Sequence, residues 1–189
     1  MGDIYEVEVK IAIDNYEEME KRIMEVGAQK TNRETQIDSY YDHPCKTFQN
    51  TDEALRVRSR QPINSGAVDP PREEAELTYK GPRIDSTTKT RIETSVSIDS
   101  AKGMTSILEN LGFKLVASII KKRQFFNLPS MTISIDEVED VGLFMELETI
   151  AQTKDVDEAR QNIFAMMEKL GLNPSQSIRA SYLEIYMNR

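Results

Sequence analysis

Seven stretches of this chain place ionisable or hydroxyl side chains two residues apart, with apolar residues between them. Glu6, Glu8 and Lys10 alternate with Val7, Val9 and Ile11, and Arg56, Arg58 and Arg60 alternate with Leu55, Val57 and Ser59. Glu76, Thr78 and Lys80 oppose Leu77 and Tyr79, while Arg91, Glu93, Ser95 and Ser97 oppose Ile92, Val96 and Ile98. Lys121 and Arg123 share a face, Thr132, Ser134 and Asp136 oppose Ile133 and Ile135, and Glu146 and Glu148 oppose Met145 and Leu147. Side chains on a strand point alternately to its two faces, so each stretch has one apolar and one polar face. Any one of them alone would read as a sheet with a solvated side. Together they concentrate Arg and Glu at strict period two. A face rich in both signs suits a polyphosphate held by Lys and Arg, with carboxylates binding a hard divalent cation that bridges to it. Arg grips phosphate oxygens bidentately, and carboxylates beside a triphosphate need an intervening Mg²⁺ or Mn²⁺ to offset their repulsion.

The elements that carry these faces recur in an ordered way. Strands are expected at 4–13, 35–41, 53–60, 75–80, 90–98, 115–127, 131–138 and 144–150. Helices are expected at 15–27, 100–111 and 155–170, with Gly27, Gly112 and Gly171 as their stops. Residues 61–75 carry Pro, Gly and acidic residues and read as a long loop. A strand followed by an Asp-capped helix and a closing glycine occurs near residues 7–29, again near 92–114 and, as a theme, after Met145. The unequal periods exclude a solenoid and predict an α+β domain whose helices pack outside a largely antiparallel sheet. Since the helices need the apolar face, and a sheet of about eight strands tends to curl or close, the charged face turns inward. The tail from Ser177 onward fits neither period clearly.

Composition narrows the classes. At 189 residues the chain suits a single domain, spanning 1–189, with a real core. A net charge of −8 argues against broad nucleic-acid binding. The absence of a membrane-length apolar run or a charged-then-apolar leader, with a lone Cys45, predicts a cytoplasmic protein without a membrane partner. One histidine, His43, excludes a zinc site or relay built on several. It reads as a loop residue before Pro44, and Cys45 has no basic partner assured by sequence. An apolar outer strand or helix face would support a homodimer.

The same residues resemble the CYTH superfamily, the triphosphate tunnel metalloenzymes, and within it most the class IV adenylyl cyclase branch and its archaeal members. The Glu-x-Glu-x-Lys hallmark is Glu6, Glu8 and Lys10. "QIDSYYD" follows around Asp38 and Tyr40, then "ALRVR", "LTYKGP", "TRIE", "KKR", "SIDEVEDVGLFMELE" and "SYLE", in order along almost the whole chain. The resemblance implies an eight-stranded, largely antiparallel β-barrel, or tunnel. In it Glu6, Glu8 and either Glu146 or Glu148 hold the catalytic metal, Mg²⁺ or Mn²⁺. Lys10, Arg56, Arg58, Lys80, Lys121 and Arg123 grip the triphosphate. Glu93 and Asp136 serve a second ion or orient the bases, and Arg91 pairs with them or touches phosphate. Lys10, Lys80, Arg123 and Asp136 are the candidate catalytic side chains, and Arg60, nearer its strand end, is as readily solvated. The implied activity is conversion of ATP to cyclic AMP and pyrophosphate. Hydrolysis of inorganic, thiamine or nucleoside triphosphate is the first alternative, and non-catalytic binding of polyphosphate or nucleotide the second. Arg179 and Tyr182 read as finishing the fold.

Overall fold

The computed structural model describes residues 4–63, 74–83, 91–152 and 155–189. It contains eight strands, β1 (Ile4–Ala12), β2 (Gln29–Asp42), β3 (Ala54–Pro62), β4 (Glu74–Lys80), β5 (Glu93–Ile98), β6 (Lys114–Leu128), β7 (Met131–Val138) and β8 (Gly142–Gln152). Four helices accompany them, α1 (Tyr16–Glu25), α2 (Ala101–Asn110), α3 (Val156–Lys169) and α4 (Tyr182–Met187). The strands form one sheet in the order β1-β8-β7-β6-β2-β3-β4-β5, every neighbouring pair antiparallel. Its two edges meet at a bridge between Glu6 of β1 and Arg91, just before β5. The sheet therefore curls round into a tunnel, with helices on its outer surface.

Apolar alternation accounts for that outer surface. Val7, Val9 and Ile11 of β1 join Ile133, Ile135, Met145 and Leu147 in one buried cluster. Met19 and Ile23 of α1 and Ile163 and Met167 of α3 cover it. A second cluster joins Leu108 of α2 to Val57 and Tyr41, with Leu77 and Ile98 packed against it. The three strand–helix units expected from the internal echo are thus β1–α1, β5–α2 and β8–α3.

The caps fall one residue later than expected. Asn15, not Asp14, accepts from Glu18 N at 2.9 Å, and Ser100, not Asp99, accepts from Gly103 N at 3.0 Å. Both have the extended backbone that aims a short polar side chain at the first turn. Gly27 and Gly112 follow α1 and α2 at φ +89° and +88°, where a Cβ would be strained.

β2 begins at Gln29, six residues before the expected start at Thr35, because β6 pairs with a polar segment lacking apolar alternation. β5 begins at Glu93, and Arg91 occupies the isolated bridge instead of a continuous strand. Residues 64–73, most of the expected loop at 61–75, and residues 84–90 lie outside the described residues. The ambiguous tail ends in α4, which departs from the outer layer. Its Tyr182 packs on Ile119, Val138 and Phe144, residues in phase with the charged face, and so closes over one end of the tunnel. Among the described residues no helix is long and apolar enough to cross a membrane.

Candidate functional site: a tunnel with a paired half and an acidic half

The charged faces converge on a cavity of about 400 Å³. Of the expected site residues, Glu6, Glu8, Arg56, Arg58, Lys80, Arg91, Glu93, Lys121, Arg123, Glu146 and Glu148 line it. Lys10 and Asp136 are set back from its wall, both fully buried.

On the β2, β3, β6, β7 and β8 side, charges of opposite sign alternate across the strands. Arg58 donates through Nε and Nη2 to Asp38 at 2.5 and 2.7 Å. Lys121 Nζ stands 3.7 Å from both Asp38 and Asp136. Arg123 Nε donates to Asp136 at 2.6 Å, and its Nη2 reaches both Asp136 and Glu146. Tyr182 OH donates to Asp136 at 2.8 Å. Burial alone would push the Asp38 carboxyl up, but Arg58, Lys121 and Arg56 outweigh it and hold the group well below its ordinary range. Burial, then the neighbouring Arg123, brings the Lys121 ammonium down to about 8, with Asp136 opposing the fall.

Arg56 is held less firmly than its neighbours. Its Nη2 meets Glu76 and Thr78 at 3.4 and 3.3 Å, and its buried Nε has no partner among the described residues. A guanidinium beside a cavity with one donor unsatisfied suits an anion.

On the β1, β5 and β8 side the balance reverses. Burial raises the Glu6 carboxyl to about 8; Lys80 opposes the rise, and Glu148, Glu93 and Glu8 add to it. Burial and Glu8 likewise raise Glu148. Lys80 Nζ pairs with Glu93. Among the described residues no three acidic side chains already converge at metal-binding distance. The set nonetheless fits a hard dication: crowded carboxylates, largely out of water, whose mutual repulsion a cation would relieve. Glu6, Glu8 and Glu148, with Glu146 next along β8, are the residues that could hold it.

Lys10 stands at the end covered by α4. Its Nζ donates to Ala180 O and lies 4.0 Å over the Tyr182 ring and 5.7 Å over that of Phe144. Arg60 is only half-buried, yet it reaches Glu76 at 3.3 Å and Glu34 at 3.7 Å. Three residues given no chemical role from sequence sit in this network: Asp38, Gln36 and Tyr182. Asp38 and Gln36 are in phase with Tyr40 on β2, a period-two signal within the expected strand. Tyr182 carries no comparable signal, because it arrives on α4. The α4 end is fastened by Arg83, which reaches Asp52, Glu184 at 3.0 Å and Arg179 O at 2.9 Å. Phe48, Val116, Leu183 and Met187 also line the cavity and give it an apolar stretch of wall.

A curled antiparallel tunnel lined by Glu-x-Glu-x-Lys and by rows of Arg and Lys defines a charged-tunnel class of protein. The chain belongs to the CYTH domain family, whose pattern matches residues 5–182. It is 34% identical over 181 residues to a Methanocaldococcus jannaschii protein provisionally named an adenylate cyclase, covering 95% of this chain and 97% of that one. It is 25% identical to human thiamine-triphosphatase over 186 residues, 90% of this chain and 79% of the relative. The solved structure of the Pyrococcus horikoshii protein PH1819 superimposes with a TM-score of 0.85 at 35% identity, covering 97% of this chain and 98% of that one.

Proposed function

We propose that the chain, acting as a single domain over 1–189, is a divalent-metal-dependent enzyme that converts ATP to cyclic AMP and pyrophosphate. The observation that carries this reading is the division of the cavity: a buried cationic row beside a crowded acidic set, with an apolar stretch of wall. Arg56, with Arg58, Lys121 and Arg123 behind it, would hold the triphosphate and take up its charge. Burial lowers the Lys121 ammonium to about 8, and the Asp38 and Asp136 carboxylates beside it favour its charged form. The apolar stretch of wall would cover a nucleoside, whereas inorganic triphosphate would leave it uncontacted. Mg²⁺ or Mn²⁺ at Glu6, Glu8 and Glu146 or Glu148 would supply charge neutralisation and a lowered nucleophile pKa. Glu93 fixes Lys80, and Asp136 fixes Arg123 and Lys121, so these carboxylates orient bases. Lys10, beneath Tyr182 at the α4 end, and Arg91, at the barrel seam, complete the proposed triphosphate-facing set.

Hydrolysis of a triphosphate is the second reading. The likeness to human thiamine-triphosphatase favours it, and every phosphate-facing residue above serves it unchanged. Chromatographic product analysis separates the two, with ATP, inorganic triphosphate and thiamine triphosphate each tested in Mg²⁺ and in Mn²⁺. Cyclic AMP with pyrophosphate supports the cyclase, and orthophosphate without cyclic AMP supports hydrolysis. Absence of turnover with all three, despite binding, would leave a polyphosphate-binding protein.

A further inference from the structure

Gln36 is 1% exposed, on the inner face of β2, opposite Lys121 of β6 and Arg60 of β3 in the strand register. It lines the same cavity as the cationic row. Its amide Nε2 donates to Glu34 Oε1 at 2.5 Å. Asn32 and Arg60 also face that carboxylate, at 3.5 and 3.7 Å. A carboxylate surrounded by donors fixes which end of the amide it meets, because the reversed amide would set oxygen against oxygen. The amide oxygen is thereby aimed away from Glu34. Among the described residues it is buried and accepts no hydrogen bond.

An unmatched buried acceptor is costly, and the group that satisfies it must bring a proton. Phosphate oxygens do not qualify; they are acceptors, and the amide oxygen repels them. Gln36 therefore bounds the anion site instead of extending it. The proton-bearing partner that either proposed reaction needs beside the phosphates is the attacking O–H, from water or from the ribose 3′-hydroxyl. We propose that Gln36 Oε1 accepts a hydrogen bond from this nucleophile and orients its oxygen toward phosphorus. An amide accepts such a bond without taking the proton, so Gln36 aligns the nucleophile and leaves deprotonation to other groups. This inference rests on the triphosphate-cleaving function proposed above.

The test is steady-state kinetics of Gln36→Met, which keeps the volume and removes the acceptor, with ATP and with inorganic triphosphate in Mg²⁺. The expected result is a kcat lowered about tenfold, in line with the loss of one hydrogen bond, with KM within about twofold. With inorganic triphosphate the only nucleophile is water, so a loss there assigns water. A loss confined to cyclic AMP formation assigns the ribose hydroxyl. Gln36→Glu, which restores an acceptor, is expected to recover part of kcat even where it lowers stability against Glu34. If Gln36→Met does not fold, Glu34→Gln frees the amide to turn and is expected to lower kcat a few-fold at constant KM. An unchanged kcat in folded Gln36→Met overturns the proposal, as does a rise in KM for ATP alone, which would put the donor on the base. If the wild-type protein cleaves neither substrate, the proposed function itself falls, and this inference falls with it.

Discussion

The two halves of the tunnel handle buried charge in opposite ways. Across β2, β3, β6 and β7, nearly every cation has a carboxylate of its own: Arg58 has Asp38, Arg123 has Asp136, and Lys121 stands between them. Across β1 and β8, carboxylates face carboxylates, and Glu6 and Glu148 are both raised. Buried charges are tolerated when paired and costly when not. The first half can hold its own shape before anything binds. The second is relieved by protons or a cation, which is the condition expected of a binding site. Charge that is already satisfied builds the wall, and charge that is not marks where a ligand is wanted.

The sharpest way to break this contrast is to damage the paired half. Asp38→Ala leaves Arg58 and Lys121 buried beside an empty space and is expected to cost about 3–5 kcal/mol of stability, read from the denaturant midpoint. Glu6→Gln with Glu8→Gln should do the reverse. It removes a source of repulsion, so stability should hold or rise, while turnover falls at least about a hundredfold in the product assay. If the acidic pair proved as destabilising to remove as Asp38, the distinction between the halves would fail.

The halves should also separate by pH. Asp38 has a folded pKa below its usual value, so its contribution is full above the unfolded value of 3.8 and is lost as pH falls through the folded one. Glu6 has the opposite sign: its folded pKa is about 8 against 4.5, so the folded state binds the extra proton between those values. Metal-free protein should therefore lose stability as pH rises from about 4.5 to 8, and Glu6→Gln should flatten that slope. Denaturant midpoints across this range check it, and millimolar Mg²⁺ should raise the midpoint more at pH 8 than at pH 5. The smallest effect is expected at the α4 end. Arg83→Ala should cost about 1 kcal/mol and speed amide exchange in α4, leaving β6 and β7 protected.

The alternation of Val7, Val9 and Ile11 with Glu6, Glu8 and Lys10 was enough to predict both the strand and its orientation, because period two assigns faces whatever the neighbours are. The same logic located the rows at Arg56 and Arg58, at Lys121 and Arg123, and at Glu146 and Glu148. It missed the first part of β2, where Lys30, Thr31, Asn32 and Arg33 carry no alternation and pairing with β6 supplies the strand. Asp38 was legible as lining but not as the partner of Arg58 and Lys121, since pairing across three strands depends on register.

What the sequence determined by itself was the fold class, the inward sense of the charged faces and the residue types of the site. These follow from local periodicity and from the need of three helices for an apolar surface. Tertiary structure alone decided which charges neutralise one another, that Lys10 lies beneath Tyr182 and Ala180 O, and that Gln36 keeps an open acceptor. Those outcomes depend on strand stagger and on where a short C-terminal helix comes to rest. Both are set by contacts between residues far apart in the chain, which no periodicity records.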